Sequence, residues 1–134
     1  MATDTQDTMF VQPDFSQVQD RVDEGIYKAR IVDSKVDQWQ GKDGKPNTTF
    51  IAWTMETFDE AEEKNNGRKI FHRTPIEGAG AFRLQDFYRA AMGEDCSGKF
   101  DRTMLHGREL EVTVGRQKND PQYTEVKSVR PISH

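Results

Sequence analysis

Glu77-Gly78-Ala79-Gly80-Ala81-Phe82-Arg83-Leu84-Gln85-Asp86-Phe87-Tyr88-Arg89-Ala90-Ala91-Met92-Gly93 is the one stretch of this chain that reads as a helix. Phe82, Leu84, Phe87, Tyr88 and Ala91 recur at near-helical spacing, while Arg83, Asp86 and Arg89 fall mostly on the other face. We expect the apolar set, Phe82 included, to be buried. Gly93 supplies a stop. Everything around this stretch alternates with period two. The position of the helix among the strands therefore decides the fold.

Three strands precede it. After Gly25, Tyr27, Ala29 and Ile31 alternate with Ile26, Lys28, Arg30 and Val32, and the pattern runs on through Val36 to Trp39 as a long, bent strand. Gly41 to Pro46 follows, and its Asp43-Gly44 pair between β patterns signals a hairpin. The second strand, Thr48 to Phe58, carries Phe50, Ile51, Trp53 and Met55. A polar tip from Asp59 to Gly67 turns the chain, with Asn66-Gly67 suited to positive φ. The third strand is Arg68 to Thr74, closed by Pro75. Two strands follow the helix: Arg108 to Gly115, with Leu110, Val112 and Val114 inward, and Tyr123 to Arg130, ended by Pro131.

The order is β-β-β-α-β-β. It predicts a β-rich chain with one helix, as a five-stranded Greek-key barrel of the OB-fold type. A split sheet with one packed helix shares this order. Residues 25–134 form that domain. Residues 1–24 read as an acidic, partly disordered arm. Met1 to Thr8 has little to offset its ordering entropy, and Phe10 and Phe15, flanking Pro13, are placed to pin the arm to the barrel.

Composition narrows the function. The chain has 134 residues, enough for one domain, and a net charge of −4. Residues 1–24 hold six acids against one base, so the remainder is slightly positive. This balance excludes a strongly basic, histone-like binder but not a nucleic-acid partner, because affinity follows local phosphate neutralisation. The single cysteine, Cys96, rules out an internal disulfide and a four-cysteine metal site, and reads as an ordinary thiol in a reducing compartment. No apolar run is long enough to span a bilayer, and no signal peptide is visible. His72, His106 and His134 are far apart and lack metal-ligand spacing. Neither a nucleophile elbow nor a Walker loop occurs. We expect no catalytic residues, no cofactor and no metal.

Binding of single-stranded nucleic acid needs aromatic faces for bases and cations for phosphates. In an OB barrel these gather on strands two and three and on the one–two and four–five loops. The one–two region offers Trp39, Lys42 and Lys45, with Lys35 nearby. The third strand and its approach offer Arg68, Lys69, Phe71 and Arg73, with no acid from Lys64 through Thr74. The four–five loop offers Arg116, Lys118 and Tyr123. Each has a plainer reading. Trp53 is read as core. Phe71 and Ile70 alternate, so one of them points outward, and which one stays open. The Lys64–Arg73 cations also suit a solvated edge.

Gly25-Ile26-Tyr27-Lys28-Ala29, Asn66-Gly67-Arg68-Lys69-Ile70-Phe71, Leu105-His106-Gly107-Arg108-Glu109-Leu110 and Glu125-Val126-Lys127-Ser128-Val129 carry a resemblance. Over roughly residues 9 to 131 the chain resembles the small OB-fold single-stranded DNA-binding proteins of bacteriophage replication and recombination modules. The resemblance implies sequence-tolerant, non-enzymatic binding of single-stranded DNA in the cytoplasm of an infected bacterial cell, alongside phage or host replication and recombination proteins. It implies no particular contact residues. Many such proteins end in an acidic tail, whereas this chain ends Arg130-Pro131-Ile132-Ser133-His134; a recruiting role is then absent or falls to the acidic arm. The alternative is a protein–protein adaptor, or an inhibitor of a host factor, built on the same barrel. No membrane partner is expected, and the oligomeric state is left open.

Overall fold

The computed structural model describes residues 22–132. The expectations for Met1 to Thr8, Phe10, Phe15 and His134 lie outside these residues. Among the described residues five strands and one helix follow in the order β1 (Gly25–Trp39), β2 (Thr48–Thr57), β3 (Lys69–Pro75), α1 (Phe82–Met92), β4 (Glu109–Arg116) and β5 (Thr124–Arg130). Short 3₁₀ turns occupy Glu63–Asn65, Ala79–Ala81 and Arg102–Leu105. The described residues are β-rich, and helix α1 lies between the third and fourth strands. No helix among the described residues is long and apolar enough to cross a membrane.

All pairings are antiparallel, in the order β3-β2-β1-β4-β5. The sheet curls so that its two edge strands, β3 and β5, approach within 8 Å between Cα atoms. No ladder joins them, so the sheet is open along that seam.

Alternation builds the core. Ala29 and Ile31 of β1, Trp53 and Met55 of β2, and Leu110 and Val112 of β4 are almost fully buried. From α1, Phe87 packs on Trp53 with ring centroids 4.6 Å apart. The Trp53 indole N–H donates to Thr74 Oγ1 at 2.9 Å, so the buried polar atoms of both residues are satisfied. At the start of the described chain, Val22 is buried in the same core, while Asp23 and Glu24 bind Arg116.

Phe82 corrects the expectation for the helix. It is 59 % exposed, while Phe87, Tyr88 and Ala90 are buried. At about 100° per residue, position 82 lies roughly 140° around the helix from position 87. The aromatic character of Phe82 suggests a core residue, but its phase does not.

A bulge in β1 sets the geometry of the outer face. The register with β2 shifts between Ile31 and Asp33. Ile31 N–H donates to the Arg108 carbonyl at 2.9 Å, and Gly107 N–H donates to the Ile31 carbonyl at 2.7 Å. One extra residue reverses the alternation. Before it, Tyr27, Ala29 and Ile31 point inward; beyond it, Ser34 takes the inward place opposite Trp53 and odd-numbered residues point outward. Trp39 consequently sits on the outer face. Beyond Trp39, Asp43 (φ 54°) and Gly44 (φ 79°) form the expected turn, closed by Lys45 N–H donating to the Lys42 carbonyl at 3.0 Å. Gly41 permits the loop to close, since a Cβ there would stand 1.9 Å from the Lys45 carbonyl oxygen.

Candidate nucleic-acid interface

β3 resolves the choice between Ile70 and Phe71. Ile70 and Thr74 are buried on the inner face, and His72 lies half-buried between them. Lys69, Phe71 and Arg73 share the outer face, with Phe71 37 % exposed. Their cross-strand partners on β2 are Glu56, Thr54 and Ala52. The outer face of β2 and β3 thus carries an aromatic ring between two cations.

Phe50 and Trp39 extend that face. The Trp39 indole stacks on the Phe50 ring at 4.3 Å between centroids, with 28° between the planes. The Arg73 guanidinium lies over the same Phe50 ring, 5.4 Å from its centroid. Phe50 is buried yet stands apart from the main core, because its neighbours on the outer face cover it. Trp39 remains 39 % exposed. The Trp39–Phe50–Arg73 stack therefore presents an indole at the surface, held in orientation from beneath.

The seam between β3 and β5 opens as a cleft of about 680 Å³. Trp39, Phe71 and Phe82 contribute apolar surface to it, and Val126 and Val129 form the opposite wall. Four cations, Lys69, Arg73, Arg83 and Lys127, line it against two carboxylates, Asp86 and Glu125. Lys69 is tied to Glu56, and Lys127 to Glu125. Arg73 and Arg83 make no ion pair among the described residues; Arg83 instead lies 5.6 Å from the centroid of Phe82. His72 also lines the cleft, 5.7 Å from the Phe87 ring between centroids. Desolvation, reinforced by the Arg83 charge and opposed by Glu125, pushes its pKa down to about 4. At neutral pH His72 is therefore uncharged.

Trp39, Lys69, Phe71 and Arg73 are brought together on this cleft. Lys42 and Lys45 are exposed on the hairpin beyond Trp39, outside the cleft lining. Arg68 immediately precedes β3, and its Nε donates to the Lys64 carbonyl at 2.8 Å. Arg116 has a structural role, binding Asp23 at 2.8 Å and Glu24 at 3.0 Å and so fastening the start of the described chain to β4. Lys118 and Tyr123 are exposed in the β4–β5 connection, with only their neighbours Gln117 and Thr124 reaching the lining.

Sequence reasoning does not single out Phe50, Arg83 or Lys127 as site residues. For Phe50 a signal exists: inward Ile51, Trp53 and Met55 require an outward Phe50. The helical phase of Arg83 correctly places it away from the core, but nothing local shows that this side of α1 borders β3 and β5. A separate polar cluster pins the bulged strand to the turn before β4. Ser34 Oγ lies 2.7 Å from His106 Nε2, and Arg102 donates to both the Ser34 carbonyl and Oγ. Ser34 is only 7 % exposed, so this arrangement is structural bracing rather than an accessible nucleophile. Among the described residues no group of three or more His, Cys, Asp or Glu is placed to hold a metal ion.

No protein-family model matches the chain, and no curated protein or solved structure matches it either.

Proposed function

We propose that this chain binds single-stranded DNA without sequence preference and without catalysis, with the DNA lying over the outer face of β2 and β3 and into the β3–β5 cleft. One observation carries the reading. An exposed indole, braced by Phe50 and Arg73, opens onto a cleft where cations outnumber carboxylates two to one, in a chain whose net charge is −4. Aromatic stacking is indifferent to base identity, and backbone-tracking cations are indifferent to sequence. Trp39 and Phe71 would stack bases; Arg73 and Arg83 would meet phosphates, with Lys69 and Lys127 released from their carboxylates as needed.

The phage resemblance supports the same reading and suggests its setting: DNA replication or recombination in the cytoplasm of an infected bacterium. Titration of a labelled oligo-dT in low and high salt tests it. Saturable binding that weakens with salt and quenches tryptophan emission is expected; absence of binding at low salt overturns it.

A further inference from the structure

The imidazole of His72 stands in the β3–β5 cleft without a polar partner. It belongs to the inner face of β3, between buried Ile70 and Thr74, yet it lines the cleft. Trp53 donates its N–H to Thr74, and His106 Nε2 meets Ser34 Oγ. His72, by contrast, makes no hydrogen bond among the described residues. Its ring contact is with Phe87, 5.7 Å between centroids. Half-buried polar groups normally find partners, and an imidazole has an N–H to give in either protonation state. Its place in the cleft leaves that N–H to a ligand.

The surroundings of His72 specify the ligand's charge. Arg83 and Asp86 of α1 and Glu125 and Lys127 of β5 share the cleft with it. Trp53, its partner on β2, is uncharged, and Lys69 and Arg73 of β3 lie on the opposite, outer face. Lys127 is held by Glu125 at 2.7 Å, whereas Arg83 makes no ion pair among the described residues. Arg83 is also the charge that acts most strongly on His72. An anionic oxygen drawn to Arg83 therefore arrives where His72 feels it.

We propose that His72, with Arg83, meets a phosphate of the bound strand inside the cleft and takes up a proton as it does so, which couples DNA binding to pH. The coupling rests on the DNA-binding reading.

Three changes act in one direction. The phosphate brings negative charge to the ring. It also neutralises Arg83, whose charge holds the proton off in the free protein. As Lys127 turns to the strand, Glu125 is left facing the ring, and its charge draws the proton on. Desolvation, the largest influence in the free protein, opposes them. An opposite charge within about 4–6 Å nevertheless lifts a cationic group's pKa strongly, here from about 4 toward the ordinary histidine range. Above the bound value neither state holds the proton, and below about 4 both do. Between the two only the complex holds it, so affinity rises as pH falls through that window.

NMR of the His72 imidazole in the full chain, from pH 5 to 8 with and without saturating oligo-dT at low salt, tests the coupling. Thymine and phosphodiester groups do not titrate in that range, and His106 serves as internal comparison. His72 should titrate at higher pH in the complex. Calorimetry at pH 5.5 in buffers of different ionisation enthalpy should report uptake of up to about one proton, with affinity rising by up to about tenfold per pH unit on acidification. His72→Gln keeps a donor but cannot take up the proton, and should abolish both the uptake and the pH slope. An unchanged His72 titration on saturation overturns the proposal and leaves the DNA reading standing. A pH slope retained in His72→Gln also overturns it, the proton then belonging to Asp86 or Glu125. Absence of oligo-dT binding at every pH removes the DNA reading and the coupling with it.

Discussion

The indole of Trp39 rests on Phe50 with 4.3 Å between ring centroids, so one face of the indole is committed to the protein and the other is available to a ligand. Stacking on an aromatic is worth about 1–3 kcal/mol per base. Trp39→Ala should weaken oligo-dT binding about tenfold or more, and Trp39→Phe should recover part of the loss. The alanine variant also uncovers Phe50, so a melting temperature lowered by a few degrees is expected alongside, measurable by circular dichroism.

Arg73 and Arg83 should dominate the salt dependence. Each phosphate neutralised on a single strand contributes a slope of about −0.7 in log K against log salt. Replacing both with Gln should flatten the slope by about 1.4. Lys69→Gln should flatten it less, since Lys69 must first leave Glu56. Equal slopes for the double variant and the parent would remove the cleft from the binding surface.

Trp53 provides the contrasting case. It is 1 % exposed and packed on Phe87, with its N–H donated to Thr74. Trp53→Ala should cost about 3–5 kcal/mol in urea denaturation, with oligo-dT affinity little changed in the fraction that remains folded.

His72 should make stability depend on pH in a defined window. Its folded pKa lies near 4, below the ordinary histidine value of 6.5. As pH falls through 6.5, the unfolded chain gains a proton that the folded chain refuses, so stability is lost progressively until about pH 4, where the folded chain also takes it up. The expected slope is up to about 1.4 kcal/mol per pH unit. His72→Gln should flatten the profile in that window. Asp101, whose carboxyl is held below its ordinary value by hydrogen bonds from Thr103, acts only in more acid solution.

The strands, the Asp43-Gly44 turn, the helix and its stop at Gly93 are all legible in the sequence, because each rests on local periodicity or local φ preference. Strand ends differ by a residue, as with β3 starting at Lys69 rather than Arg68. Facing is harder. Alternation tells that Ile70 and Phe71 oppose one another but not which meets the core; that depends on register with Trp53 and Met55. The β1 bulge has no local mark, since Ile31 and Val32 are equally apolar. The fates of cations are also hidden. Arg116 has the look of a ligand contact and instead holds Asp23 and Glu24, more than ninety positions earlier in the chain. Long-range pairs of this kind are fixed by the assembled sheet, not by neighbours in sequence.

The extra residue in β1 also bears on how such a chain can change over generations. It divides one continuous strand into two inheritances: up to Ile31 the odd positions are constrained by the core, and from Asp33 onward they answer to solvent and ligand. Losing a single codon between Ser34 and Trp39 would turn Trp39 toward the interior. Losing Val32 itself would only iron out the bulge, leaving Ser34 inward and Trp39 outward, because Asp33 and Ser34 already pair with Thr54 and Trp53 in step with Ile31 and Met55. Losing or gaining two residues beyond the bulge would merely shorten or lengthen the hairpin. The distal half of β1 is thus free to drift in length by pairs but not by single residues.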